Sequence, residues 1–213
     1  MKIRRTANAG VLLRLDDVTI LLDGVCREVK PYPATPPAIR EELLRELPDA
    51  VVFTHAHEDH YDPAFVSEYV QKTAGPVLGP ADIPFSREGK LQLGNVTITP
   101  VKSHHMGKTE PIGHHSYVIE GSKCIWFMGD ASPLHWLEKE LPKPDVLIAP
   151  YGFAIGKGWD ITKALNPSAI VLLHLPERHS DIYGLWDAVE HTTADGPHPA
   201  VLIPYMGEII RLL

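Results

Sequence analysis

A chain of 213 residues with 44% hydrophobic residues is long enough for one sizeable core, and its formal net charge of −7 sets its long-range field against polyanions, which disfavours nucleic acid as a partner. Only two cysteines occur, Cys26 and Cys124, too few for a disulfide framework or a thiolate zinc site, and a reducing cytoplasm fits that count. The opening MKIRRTANAGVLL lacks the continuous apolar core of a signal peptide, and no apolar stretch approaches the roughly 18 residues of a membrane helix, so a soluble protein is expected.

Val11–Leu13 and Val18–Leu22 flank Asp16-Asp17 and predict a hairpin that closes at Asp23-Gly24. After a proline-rich loop over Pro31–Pro37, the helical spacing of Ile39, Leu43, Leu44 and Leu47 predicts an amphipathic helix stopped by Pro48. Ala50–Thr54 follows as a buried strand, and Asp62-Pro63 supplies an N-cap and a first-turn proline for a helix carrying Phe65, Val66, Tyr69 and Val70. Val96–Val101 alternates as a strand, and Ser116–Glu120 and Lys123–Met128 predict a second hairpin across Gly121-Ser122. A short helix over Leu134–Leu141, strands at Val146–Ala149 and Ala169–Leu173, a helix over Ile182–His191 and strands at Val201–Ile203 and Ile209–Leu212 complete the order. Strand-rich segments interspersed with helices, without a linker or repeat, predict a single domain over 1–213, an α/β sandwich of two packed mixed β-sheets with helices on the outer faces.

The stretch THAHEDHYDP, residues 54–63, joins the buried strand to the capped helix and puts His55, His57, Glu58, Asp59 and His60 within six positions. A helix cap needs one Asp or Ser, so capping does not account for five ionisable groups. His55 and His57 lie two apart on an extended segment and project to one side, while Asp59 and His60 come round from another direction. Imidazole and carboxylate without thiolate suit zinc, manganese or iron, and an incomplete protein ligand set belongs to a catalytic site; two adjacent ions are the natural reading.

His55-Ala56-His57-Glu58-Asp59-His60 resembles the H-x-H-x-D-H signature of the metallo-β-lactamase superfamily, and Ser103-His104-His105, Gly129-Asp130-Ala131-Ser132 and Val171-Leu172-Leu173-His174 follow in that family's order. The resemblance implies the αββα metallo-β-lactamase fold, with His55, His57 and His105 on one ion, Asp59, His60 and His174 on a second, and Asp130 bridging. It also implies a supporting role for Asp23 behind the ligands. His104 and His105 both follow the Val96–Lys102 strand and alternation sends them to opposite faces; the spacing similar to that of the L-ascorbate-6-phosphate lactonase branch favours His105. The implied activity is hydrolysis of a lactone, ester or phosphodiester bond in a small, anionic substrate, with a hydroxide held between two divalent ions, Zn2+ first and Mn2+ or Fe as alternatives.

Asp59 and His115 are the candidate catalytic side chains, and His114 and His179 share with His115 the capacity to protonate a leaving group or orient a phosphate. Substrate choice is expected in the loops Pro31–Pro37, Gly79–Gly94, Met106–His115 and Gly152–Asp160. The same ligands suit two other readings, an iron-dependent redox enzyme of this fold and a non-catalytic metal-binding module.

Overall fold

In the computed structural model the described residues are 1–107, 113–194, 196 and 198–212, so the middle of the Met106–His115 loop lies outside them. Strands β1 (Lys2–Arg5), β2 (Val11–Leu15) and β3 (Val18–Leu22) form an antiparallel meander. Helix α1 (Pro37–Glu46) then leads to β4 (Ala50–Val52), parallel to β3, and α2 (Pro63–Lys72) leads to the short strands β5 (Val77–Leu78) and β6 (Ser86–Arg87). With β14 (Ile209–Arg211) returning beside β1, this gives a mixed seven-stranded sheet in the order β14-β1-β2-β3-β4-β5-β6.

The second sheet begins with β7 (Leu91–Leu93), β8 (Val96–Lys102), β9 (His115–Glu120) and β10 (Cys124–Phe127), all antiparallel. It continues in parallel through β11 (Val146–Pro150), β12 (Ala169–Leu173) and β13 (Ala200–Leu202), with α3 (Gly156–Leu165) and α4 (Leu185–Thr193) on the connections. Period-two alternation sorts the apolar residues into three layers. Val11, Leu13, Ile20, Leu22 and Val52 of the first sheet meet Ile98, Ile119, Phe127, Ile148 and Val171 of the second in the central core. Their neighbours Leu12, Leu21 and Val51 pack outward under α1 and α2, while Leu147, Ile170 and Leu172 pack outward with Trp159 and Leu165 of α3 and Val189 of α4. This is the αββα sandwich predicted from the sequence, and no helix among the described residues is long and apolar enough to cross a membrane.

Four local expectations change. The helix expected over Leu134–Leu141 contracts to a 3₁₀ turn at Trp136–Glu138, because His135 takes a left-handed φ of 68° that interrupts any longer helix. The helix expected from Ile182 starts at Leu185, after Gly184 at φ 67°. The Gly152–Asp160 loop instead opens α3, where two glycines in the first turn hide the spacing of Trp159, Thr162 and Leu165. The Gly79–Gly94 loop carries β6 and β7. Helix α2 starts as predicted, with Asp62 Oδ1 accepting from the Ala64 N–H at 3.0 Å and Pro63 in the first turn.

Candidate metal centre

Every motif residue sits just past the carboxyl end of a strand, where a ladder stops and the backbone is free to turn. Asp23 follows β3, the segment His55–His60 follows β4, His105 follows β8, Asp130 follows β10 and His174 follows β12. The structure brings seven of these side chains together, six of them in two groups of donors. Donor atoms of His55, His57 and His105 lie within 4.8 Å of one another, and so do those of Asp59, His60 and His174. Asp130 stands between the groups, with Oδ1 3.2 Å from His60 Nε2 and Oδ2 3.3 Å from both His105 Nε2 and His174 Nε2. Asp59 Oδ2 is 3.2 Å from His174 Nε2. His104, by contrast, is exposed and belongs to neither donor group, although it lines the same cavity as His105.

Hydrogen bonds behind the ligands fix which ring nitrogen faces inward. Asp23 is fully buried and accepts three bonds: from the Thr54 N–H at 2.8 Å, the Thr54 hydroxyl at 2.6 Å and His60 Nδ1–H at 2.8 Å. The Thr54 hydroxyl has spent its proton on Asp23, so its oxygen accepts from His55 Nδ1–H at 2.9 Å. The Met106 carbonyl accepts from His105 Nδ1–H at 2.7 Å. Nε2 is therefore the nitrogen left unbonded on each ring, and those of His60 and His105 approach Asp130 at 3.2 and 3.3 Å. Burial without partners is costly for such atoms, yet Nε2 of His55, His60, His105 and His174 are all buried and without a hydrogen bond. The close approaches to Asp130 lack hydrogen-bond alignment at His60.

The electrostatics describe the same concentration of charge. Burial opposes ionisation of Asp130, but His174 and His60 beside it outweigh burial and hold its carboxyl well below the usual range. Burial likewise opposes charge on His60 and His174, and Asp130 outweighs it, raising His60 well above its ordinary value and His174 to about 9. Burial pushes His55 well below its ordinary value, and His60 adds to that effect. A cluster that attracts positive charge to its middle while keeping His55 neutral, with imidazole and carboxylate donors and no thiolate, fits zinc, manganese or iron. Neither cysteine takes part: Cys26 contacts Thr35 and the Pro33 carbonyl, and Cys124 contacts the Pro142 carbonyl.

Backbone strain gathers at the same place. Asp23 and His174 adopt left-handed φ values of 43° and 59°, conformations that cost a non-glycine residue on the order of 1 kcal/mol or more. Gly129, at φ 54°, lets the Asp130 turn close onto the motif, since a Cβ there would lie 2.5 Å from Thr54 Cγ2. Gly10 performs the same service behind Asp23, whose carbonyl oxygen would sit 1.9 Å from an added Cβ.

The other candidates occupy different ground. His115 lines a cavity of about 1140 Å³ beside the ligand cluster, shared with His105, His114, Lys102, Trp136 and Lys139. Its N–H donates to the Thr54 carbonyl at 2.9 Å, while its ring Nδ1 is buried and unpartnered. His114 is buried and pushed down to about 3 by burial, so it is neutral. His179 is exposed, 3.5 Å from Glu177, and outside both donor groups. Thr54 and Ser103 have structural roles that their sequence positions, directly before His55 and the histidine pair, did not reveal. Tyr32, from the Pro31–Pro37 loop, places its ring edge-on to His174 at 4.4 Å between centroids.

A β-lactamase superfamily domain profile matches residues 2–174. The chain is 25% identical over 191 residues to a UPF0173 protein of Pyrococcus furiosus, covering 82% of this chain and 83% of that one. It is also 25% identical over 214 residues to the UPF0173 metal-dependent hydrolase of Salinibacter ruber, with 86% and 89% covered. The crystal structure of a possible metal-dependent hydrolase from Veillonella parvula superposes with a TM-score of 0.75 at 18% identity, covering 99% of each chain, which identifies a shared fold.

Proposed function

Because the chain belongs to the metallo-β-lactamase superfamily, we propose that this metal-dependent hydrolase holds two divalent ions, zinc foremost, and cleaves a lactone, ester or phosphodiester bond in a small molecule. Its substrate class resembles that of the L-ascorbate-6-phosphate lactonase branch, and its proposed location is the cytoplasm. His55, His57 and His105 would hold one ion, Asp59, His60 and His174 the other, and Asp130 both. When bound, such ions supply a Lewis acid and a water acidified to react near neutral pH.

The chain's own groups do the rest. Asp23, Thr54 and the Met106 carbonyl engage Nδ1 of three imidazoles, so Nε2 is the nitrogen left to meet a cation, which would displace the proton that Asp130 favours on His60. Asp59, less deeply buried than His60, orients the attacking water and takes its proton. His115, whose ring lines the adjoining cavity, is the group assigned to protonate the leaving group. Among the described lining residues Lys102 and Lys139 balance Asp82 and Glu88, so an anionic substrate would be drawn by the ions rather than by the cavity wall.

The observation that carries this reading is the convergence of three buried Nε2 atoms without a hydrogen bond, those of His60, His105 and His174, on Asp130, beside a fourth such atom on His55. Metal quantification on the purified protein, followed by a screen against a generic phosphodiester and a panel of lactones, tests it. We expect about two zinc ions per chain and turnover that collapses in His57→Ala and Asp130→Ala; unchanged activity in both variants overturns the assignment.

A further inference from the structure

We propose that His114 is a positioning residue of the metal centre: a neutral imidazole fixed with its proton on Nδ1, which locks the backbone of Asp130 through Nε2 and takes no part in proton transfer.

The assignment follows from counting protons along one chain of contacts. At one end the Met128 carbonyl oxygen can only accept, and the Ser116 hydroxyl donates to it at 2.9 Å. Ser116 has then no second proton, so in its 3.0 Å contact with Ser103 the Ser103 hydroxyl is the donor. That commits the Ser103 proton, and its oxygen accepts from His114 Nδ1–H at 2.7 Å. At the other end the Asp130 N–H can only donate, and it donates to His114 Nε2 at 3.1 Å. Four contacts use four protons with none over. An imidazolium, or the tautomer with its proton on Nε2, would set N–H against the Asp130 N–H.

The consequence reaches the ligands. The Asp130 carbonyl accepts from the Met106 N–H at 2.7 Å, so the peptide groups on both sides of Asp130 are pinned, one by His114 and the other by the residue whose carbonyl holds His105 Nδ1–H. A 3% exposed ring with both nitrogens engaged cannot exchange protons with substrate, so leaving-group protonation falls to another group. All four histidines of the run Ser103-His104-His105 and the pair His114-His115 border the cavity, but His105 also belongs to a donor group and His114 to the backbone support of Asp130.

This inference rests on the metal-site reading and not on hydrolysis. The test is a long-range 1H–15N correlation spectrum of the zinc-loaded, 15N-labelled protein, with the His114 signals identified by their loss in His114→Gln. We expect a proton on Nδ1 and a bare Nε2 on the His114 ring; a proton on Nε2, or on both nitrogens, overturns the proposal. Competition with a chromophoric chelator gives the second readout. His114→Phe should weaken zinc binding by roughly 10- to 100-fold, as loss of a ligand's supporting partner does elsewhere. His114→Gln, whose Oε1 can accept from the Asp130 N–H, should recover most of that loss. If His114→Phe binds zinc as the parent does, or His114→Gln is no better than His114→Phe, the assignment is wrong. A protein that passes both tests yet hydrolyses nothing would refute the proposed function alone.

Discussion

Thr54→Val is the sharpest probe of the centre, because valine keeps the shape of threonine and removes a single hydroxyl. That hydroxyl donates to Asp23 at 2.6 Å and accepts from His55 Nδ1–H at 2.9 Å, inside a fully buried site. The bond to the carboxylate contributes roughly 1.5–3 kcal/mol and the bond from the neutral imidazole roughly 0.5–1.5 kcal/mol. Asp23 keeps the Thr54 N–H and His60 Nδ1–H, so part of the loss is offset and a net destabilisation of about 2–3 kcal/mol is expected. For a chain of this size that lowers the melting temperature by roughly 5–10 °C. His55 also loses the acceptor that keeps its proton on Nδ1, so zinc affinity should fall by roughly 10- to 100-fold. Thr54→Ser retains the hydroxyl and should bind zinc within a few-fold of the parent. Chelator competition and calorimetry on parent, Val and Ser variants read both effects. Parent-like zinc affinity in Thr54→Val would show that the hydroxyl does not set the His55 tautomer, and the argument for the inward Nε2 set would fail with it.

Two further substitutions separate parts of the site. Gly129→Ala and Gly94→Ala start from the same φ of 54°, but only the first Cβ meets anything, Thr54 at 2.5 Å. Thermal unfolding should therefore show roughly 1 kcal/mol of strain at Gly94 and distinctly more at Gly129; equal shifts would dismiss the Thr54 contact. His174→Ala removes a donor from one group and leaves His55, His57 and His105 intact. Its zinc content should drop from about two to about one per chain, and retention of two would disprove the division of ligands.

The hairpin was legible because the apolar runs Val11–Leu13 and Val18–Leu22 flank a turn, but with both faces apolar only the structure sorts Val11, Leu13, Ile20 and Leu22 into the central core and Leu12 and Leu21 under the helices. The motif residues were legible because nothing in folding alone asks for His55, His57, Asp59 and His60 at one strand end. Helix α3 was not, since its glycines weaken the helical signal and only packing of Trp159 and Leu165 restores it. Strand β1, KIRR, lies between β14 and β2 and has two arginines whose heads reach Glu42 and the Pro204 carbonyl, a pattern that propensity does not register. The support residues Thr54, Ser103 and Ser116 were invisible for a different reason. A hydroxyl acquires its role only when a partner distant in the sequence arrives, and Asp23 lies 31 positions from Thr54, as Ser116 lies 13 from Ser103.

The donors come from both sheets, so the centre exists only when the sheets close on each other, and Tyr117 offers a way to test how tightly the two events are linked. Its hydroxyl, fully buried in β9 of the second sheet, donates to the Phe53 carbonyl of the first at 2.8 Å, one residue before Thr54. Tyr117→Phe strips that carbonyl of its side-chain partner and should cost roughly 1–3 kcal/mol. A second bond across the same seam, from the His115 N–H to the Thr54 carbonyl at 2.9 Å, remains and holds the start of the motif in place. The donors themselves are therefore expected to stay in register, and by linkage an unchanged zinc affinity requires the same stability loss in metal-free and zinc-loaded protein. Denaturant unfolding of both forms decides the matter. A larger loss in the zinc-loaded form would mean that the Tyr117 tie tunes the metal centre directly, and that sheet closure and ligand geometry are one event rather than two.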